Sequence, residues 1–128
     1  MEKDFDKWNI RKKDVHENGE KAFYLEREAW WCILGMNIGF EQDGVGTGYE
    51  RPVLVVRAFS TSTCLIIPLT TSVKENPYHM NAGTIIGQNA FAIISQLRLI
   101  DTRRLSEKIG FIDKDAFFYI RKAIKGML

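Results

Sequence analysis

At 128 residues the chain has room for one domain with its own core, and two comfortable cores are excluded. Apolar residues at 45% and charged residues at 27% exclude a disordered chain, because that much apolar surface offsets the entropy of ordering. Net charge is +2, with five basic and six acidic groups in residues 1–20, six of each in 21–100, and seven against four in 101–128. A polybasic tail binding nucleic acid by counterion release alone is therefore excluded, and any contact with RNA must come from a few placed cations.

From the N-terminus, residues 4–18 are charge-rich, with Phe5, Trp8 and Val15 at roughly helical spacing. They predict an amphipathic helix with a thin apolar stripe, stopped at Asn18-Gly19. Met1–Asp6 lacks the basic-then-apolar order of a signal peptide, and no run approaches the roughly eighteen apolar residues of a membrane span. A helical extension over 1–25 followed by one domain over 26–128 is the expected organisation. Glu28–Leu34, rich in aromatic and β-branched residues, reads as a strand. A glycine-bearing stretch, Gly35–Glu50, follows it. Two apolar runs, Pro52–Val56 and Cys64–Ile67, flank the polar tetrapeptide Ser60–Thr63 and predict a hairpin. Their unbroken apolar character predicts strands covered on both faces, as in a tight barrel or at a dimer seam. Ala90–Ile94 with Leu97–Ile100 predicts a further strand, and Lys108–Ile112 a short one after a turn at Asp101–Leu105. Past Asp113, a fair N-cap, Phe117, Ile120, Ile124 and Met127 share one helical face, with Arg121, Lys122 and Lys125 in the later turns where the helix dipole favours cations.

Chemistry-bearing motifs are sparse. There is no Walker A loop, H-E-x-x-H, C-x-x-C or G-x-S-x-G. Gly44-Val-Gly46-Thr-Gly48 lacks the spacing of a dinucleotide loop and leads into a strand instead of a helix, so it reads as a flexible loop. Cys32 and Cys64 lie in apolar stretches with no partner at metal-ligand spacing, and read as buried thiols of a soluble protein in a reducing cytoplasm. His16 and His79 stand in unrelated contexts; incidental packing outweighs an acid/base pair. Trp30-Trp31 sends one ring to each face of its strand, for core and subunit contact or for stacking on a base. Arg51 stands at the entrance of one predicted strand, and Thr70-Thr71 at the exit of its hairpin partner. In a hairpin those ends lie side by side, and a guanidinium beside a hydroxyl makes a compact phosphate site; a solvated strand flank is the competing reading.

Six segments, in this order, carry a resemblance: Trp30–Leu34, Gly39–Gln42, Arg51-Pro-Val-Leu-Val-Val56, Pro68-Leu-Thr-Thr71, Ser95-Gln-Leu-Arg-Leu-Ile-Asp101 and Arg104–Gly110. Together they resemble the MazF/PemK family of type II toxin–antitoxin growth inhibitors over about residues 28–128. The resemblance implies a mainly β, α+β domain: a small SH3-like β-barrel with a C-terminal helix, preceded here by the helical extension. It implies a homodimer whose interface groove takes single-stranded RNA, an antitoxin partner covering that groove, and no membrane association. It implies a sequence-selective mRNA interferase in which the ribose 2′-hydroxyl attacks the adjacent phosphorus, with no cofactor and no metal. Arg51 and Thr70 match the catalytic pair, and Phe40, Glu41, Gln42, Thr71 and Gln96 the RNA-binding positions. Three departures stand out: a long Gln42–Arg51 loop, Phe40 where many relatives carry a small polar residue, and no counterpart of the acidic and histidine partners of some branches. The alternatives are a non-catalytic barrel of the same superfamily that binds DNA gyrase, and one that only binds an antitoxin or RNA.

Overall fold

The computed structural model describes residues 23–34, 50–72 and 76–128. The expected N-terminal helix, the Gly35–Glu50 loop up to residue 49, and with them Phe40, Glu41, Gln42 and His16 lie outside the described residues. Seven strands follow one another: β1 (Glu28–Ile33), β2 (Glu50–Ala58), β3 (Thr63–Thr70), β4 (His79–Ile85), β5 (Gln88–Ile93), β6 (Arg98–Asp101) and β7 (Leu105–Phe111), before helix α1 (Lys114–Met127). All pairings are antiparallel, in the order β4-β5-β3-β2-β1-β7, with β6 also on β3. This is the mainly β architecture with a C-terminal helix that the resemblance implies, a sheet curled into a half-barrel.

The curl originates in β3. One edge pairs with β2 along its length, while the other is divided between β6, through Thr63–Ile66, and β5, through Leu69 and Thr70. Pro68, which has no N–H to give to a ladder, falls where β3 changes partner. Alternate residues face opposite sides of a strand, and here both sides are covered. On one side Leu54, Val56, Ile67 and Leu69 pack with Ala90, Ala92 and the α1 residues Ile120 and Ile124. On the other, Val53, Val55, Cys64 and Ile66 pack with Trp30, Cys32, Ile100 and Leu105. The unbroken apolar runs are therefore strands between two cores.

Helix α1 begins where Asp113 accepts hydrogen bonds from the backbone N–H groups of Asp115 and Ala116, at 3.1 and 3.2 Å. The start of β1 is anchored by Glu28, whose carboxylate is buried, accepts from Trp30 Nε1 at 3.2 Å and from the backbone N–H of Leu25, and pairs with Lys108 Nζ of β7 at 3.0 Å. A buried carboxylate persists only when its oxygens are satisfied in this way.

Three sequence expectations need correction. Ala90–Ile94 and Leu97–Ile100 are two strands, because a 3₁₀ turn at Ile94–Gln96 redirects the chain from β4 and the end of β3 to the start of β3. The last strand begins at Leu105, and β4 was not expected at all. β4 joins β5 by a two-residue turn, Ile86-Gly87, with both φ values positive (52° and 72°) and Ile85 paired to Gln88. That is the sign pattern of a type I′ turn, which favours Asn-Gly. Holding a β-branched residue there costs about 1–3 kcal/mol.

At the other end of β6, Asp101 caps the 3₁₀ turn Thr102–Arg104 and binds Arg103 through its backbone N–H (2.8 Å) and guanidinium (2.8 and 3.0 Å). Hydrogen bonding from the Arg103 side chain holds the Asp101 carboxyl at about 2, below the ordinary 3.8. The depressed value means that this contribution to stability is present above the ordinary value and is lost as pH falls from about 4 to about 2. Arg103→Ala should therefore flatten the fall of melting temperature across that window. Cys32 and Cys64 are fully buried, and burial pushes both thiols up to about 12. A thiol reagent at neutral pH should label neither residue in the native protein, and both at once after unfolding in denaturant.

Candidate active site

The ends of three strands and one hairpin tip meet in a cleft of about 370 Å³. β1 contributes Trp31, β2 contributes Arg51 and Pro52, and the end of β3 contributes Leu69 and Thr70, with Thr71 just beyond it. Ile85, Ile86, Gln88 and Ala90 close it from the β4–β5 hairpin.

Register brings the two key residues together. Val53 pairs with Pro68, and that register carried two residues toward the ends of both strands sets Arg51 opposite Thr70. Cys32 of β1 pairs with Arg51 from the other side, and Phe91 of β5 pairs with Thr70. Arg51 is 7% exposed although it lines the cleft. Its guanidinium thus works in a setting of reduced dielectric, where a charge-assisted contact to a phosphate is stronger than in water. Thr70 Oγ1 accepts the backbone N–H of Ser72 at 3.1 Å, which leaves the hydroxyl proton available for an acceptor in the cleft. Ser106 of β7 braces this end of the sheet: its hydroxyl lies 2.8 Å from Glu50 Oε1 and 3.2 Å from the Trp31 carbonyl oxygen. Arg104 Nη1 donates to the Ile33 carbonyl at 3.0 Å.

Of the residues singled out in the sequence, Arg51, Thr70 and Thr71 come together in the cleft. Gln96 ends the 3₁₀ turn between β5 and β6, half-buried, and is not among the residues lining the cleft. The adjacent tryptophans divide their roles, Trp30 in the core and Trp31 at the cleft. His79 opens β4 opposite Ile93, away from the cleft lining. Sequence reading missed the hairpin residues Ile85, Ile86, Gln88 and Ala90. The available signal was the dipeptide Ile86-Gly87 between two short β-compatible runs, masked by an isoleucine where turn residues are expected. Among the described residues no group of three or more His, Cys, Asp or Glu side chains is placed to hold a metal ion, and no helix is long and apolar enough to cross a membrane.

Comparison with known proteins follows the same lines. Form I of MazF from Deinococcus radiodurans superposes with a TM-score of 0.64 at 19% identity, covering 80% of this chain and 93% of that one. An endoribonuclease in complex with its cognate antitoxin, from a mycobacterial species, gives 0.59 at 15% identity over 80% and 92% of the two chains. Form II of the MazE–MazF complex from Deinococcus radiodurans gives 0.60 at 18% identity, over 80% and 91%. At these identities the likeness is one of fold. No curated protein matches in sequence. The family model for PemK-like, MazF-like toxins of type II toxin–antitoxin systems matches residues 27–128, nearly four-fifths of the chain, and the chain belongs to that family.

Proposed function

We propose that this protein is a sequence-selective, metal-independent endoribonuclease that cleaves single-stranded RNA at the Arg51–Thr70 cleft. The observation that carries the reading is a nearly buried arginine and a threonine hydroxyl lining one open cleft of a MazF-like fold, set opposite each other when the β2–β3 register is carried two residues further. A guanidinium supplies two parallel donors to phosphate oxygens, and an alcohol supplies a third or passes a proton.

In the proposed reaction the ribose 2′-oxygen attacks the adjacent phosphorus and gives up its proton. The bond from phosphorus to the 5′-oxygen breaks, and that oxygen takes up a proton. The products are a 2′,3′-cyclic phosphate and a 5′-hydroxyl. Because the nucleophile belongs to the substrate, no metal-bound water is needed. Arg51 stabilises the charge that grows on the non-bridging oxygens, and Thr70 hydrogen-bonds one of them or assists the proton transfer. Thr71 lines the same cleft. Phe40, Glu41 and Gln42 are assigned to a loop over the substrate, and Gln96 to a contact further along the RNA.

The reading includes two partners. Solved relatives include a MazE–MazF complex and an endoribonuclease bound to its cognate antitoxin, which supports an antitoxin for this chain as well. A second copy of the chain is assigned to complete the RNA groove, in the cytoplasm where mRNA is available.

Incubation of the purified protein with a long single-stranded RNA in EDTA should give discrete fragments with 5′-hydroxyl ends. Arg51→Ala should slow cleavage by about 10²–10³-fold, the usual loss for one oxyanion donor. Thr70→Val should slow it by roughly tenfold or more while leaving RNA binding in place. Intact RNA with the wild-type protein, or full activity in Arg51→Ala, would overturn the assignment.

A further inference from the structure

Ile86 is anomalous in three ways at once. Its φ of 52° is a conformation that a β-branched residue rarely adopts. Its side chain is 64% exposed, so core burial does not compensate, in contrast to Ile85, which packs against the core. And it lines the cleft that holds Arg51 and Thr70. The neighbouring Gly87, at φ 72°, suits the turn, and asparagine is the residue that position 86 would favour on backbone grounds. Neither backbone preference nor packing among the described residues accounts for an isoleucine there. What its side chain does reach is the cleft.

We infer that the β4–β5 hairpin tip is a nucleobase subsite, in which Ile85 and Ile86 present an apolar wall to the face of one base and the Gln88 amide reads its edge. The inference rests on the cleft being an RNA site and adds what the phosphate chemistry alone does not supply, a means of choosing where to cut. A base in single-stranded RNA has an apolar face and a polar edge, and recognition proceeds by packing the first and hydrogen-bonding the second. The cleft offers both: Ile85, Ile86, Leu69 and Ala90 are apolar, and exposed Gln88 carries a donor and an acceptor on one amide. Arg51 and Thr70 stand in the same cleft, so a base against the hairpin belongs to a nucleotide next to the scissile phosphate. A cleft of about 370 Å³ has room for a base together with its ribose and phosphate, so the hairpin wall and Arg51 can engage the same nucleotide or its neighbour.

Ile86→Asn tests this, because it restores the preferred turn dipeptide while removing the apolar wall. Melting temperature should rise by several degrees. KM for a single-stranded RNA should rise roughly tenfold, the scale of losing one base-packing contact, with kcat changed less than twofold. Sequencing of the 5′-hydroxyl ends should show relaxed preference at one position beside the cut. Gln88→Ala should relax the same position without the gain in stability. Binding of a fluorescein-labelled ten-nucleotide RNA of mixed sequence is read in parallel, so the subsite is tested even if the wild-type protein cleaves nothing. Absence of wild-type cleavage counts against the nuclease reading alone. The subsite is overturned if Ile86→Asn binds that RNA as the wild type does, or if KM and the cut-site distribution stay unchanged. It is equally overturned if the variant loses stability and activity together, as a residue that merely holds the hairpin would.

Discussion

The bulge in the β2–β3 ladder decides which threonine Arg51 meets. Next to the hairpin loop, Ala58 pairs with Cys64, and seven residues along each strand from that pair would bring Arg51 opposite Thr71. Between Val55 and Arg57 the ladder shifts by one, with Val56 as the extra residue, and beyond it Val53 pairs with Pro68. Arg51 then falls opposite Thr70, whose oxygen accepts the Ser72 N–H and whose hydroxyl proton is left to donate. A one-residue change of register reverses which side chains share a face, so this single extra residue governs the chemistry at the strand ends.

A register so consequential must be held firmly, and the double core does that. Val53 and Val55 are packed on one side of β2, Leu54 and Val56 on the other. A slip in either direction would exchange two apolar sets between two different cores, each shaped by different partners. β3 is constrained further by pairing on both edges. The cleft begins beyond these constrained stretches, toward the ends of β2 and β3 and at the hairpin tip. The brace from Ser106 to Glu50 and Trp31 reaches that border from β7. Arg51 can be nearly buried and still line the cleft because it stands one residue from the end of β2, with low-dielectric protein behind it and the opening in front.

What could be read from the sequence follows the same division. The strands between two cores announce themselves as unbroken apolar runs, and the amphipathic C-terminal helix by its spacing and its Asp113 cap. Arg51 and Thr70 were legible as neighbours because hairpin geometry alone places an entrance beside an exit. The β4–β5 hairpin was not legible. His79–Ile85 alternates poorly, with Asn81, Gly83 and Thr84 breaking the apolar face, and its turn carries an isoleucine. The break between β5 and β6 was also hidden, since Ile94 and Leu97 continue the apolar pattern across a 3₁₀ turn whose existence depends on β3 changing partners. The Val56 bulge leaves no local mark, because Val56 continues the apolar run Val53–Val55 without a glycine or a polar residue to signal the extra position.

The misread turn is informative for that reason. A sequence whose local preferences agree with its fold is easy to read, and disagreements concentrate where another requirement competes with stability. Asp113 at the helix cap and Gly87 in the turn agree with their positions. Ile86 does not, and it stands at the cleft instead of elsewhere on the surface. Backbone strain of this kind survives only where the surroundings enforce it, and Ile85 paired to Gln88 on a hairpin seated against β3 supplies the enforcement. A more flexible loop would let the isoleucine relax away from the cleft. The tight two-residue turn prevents that, and so turns an unfavourable backbone conformation into a fixed apolar surface beside Arg51 and Thr70.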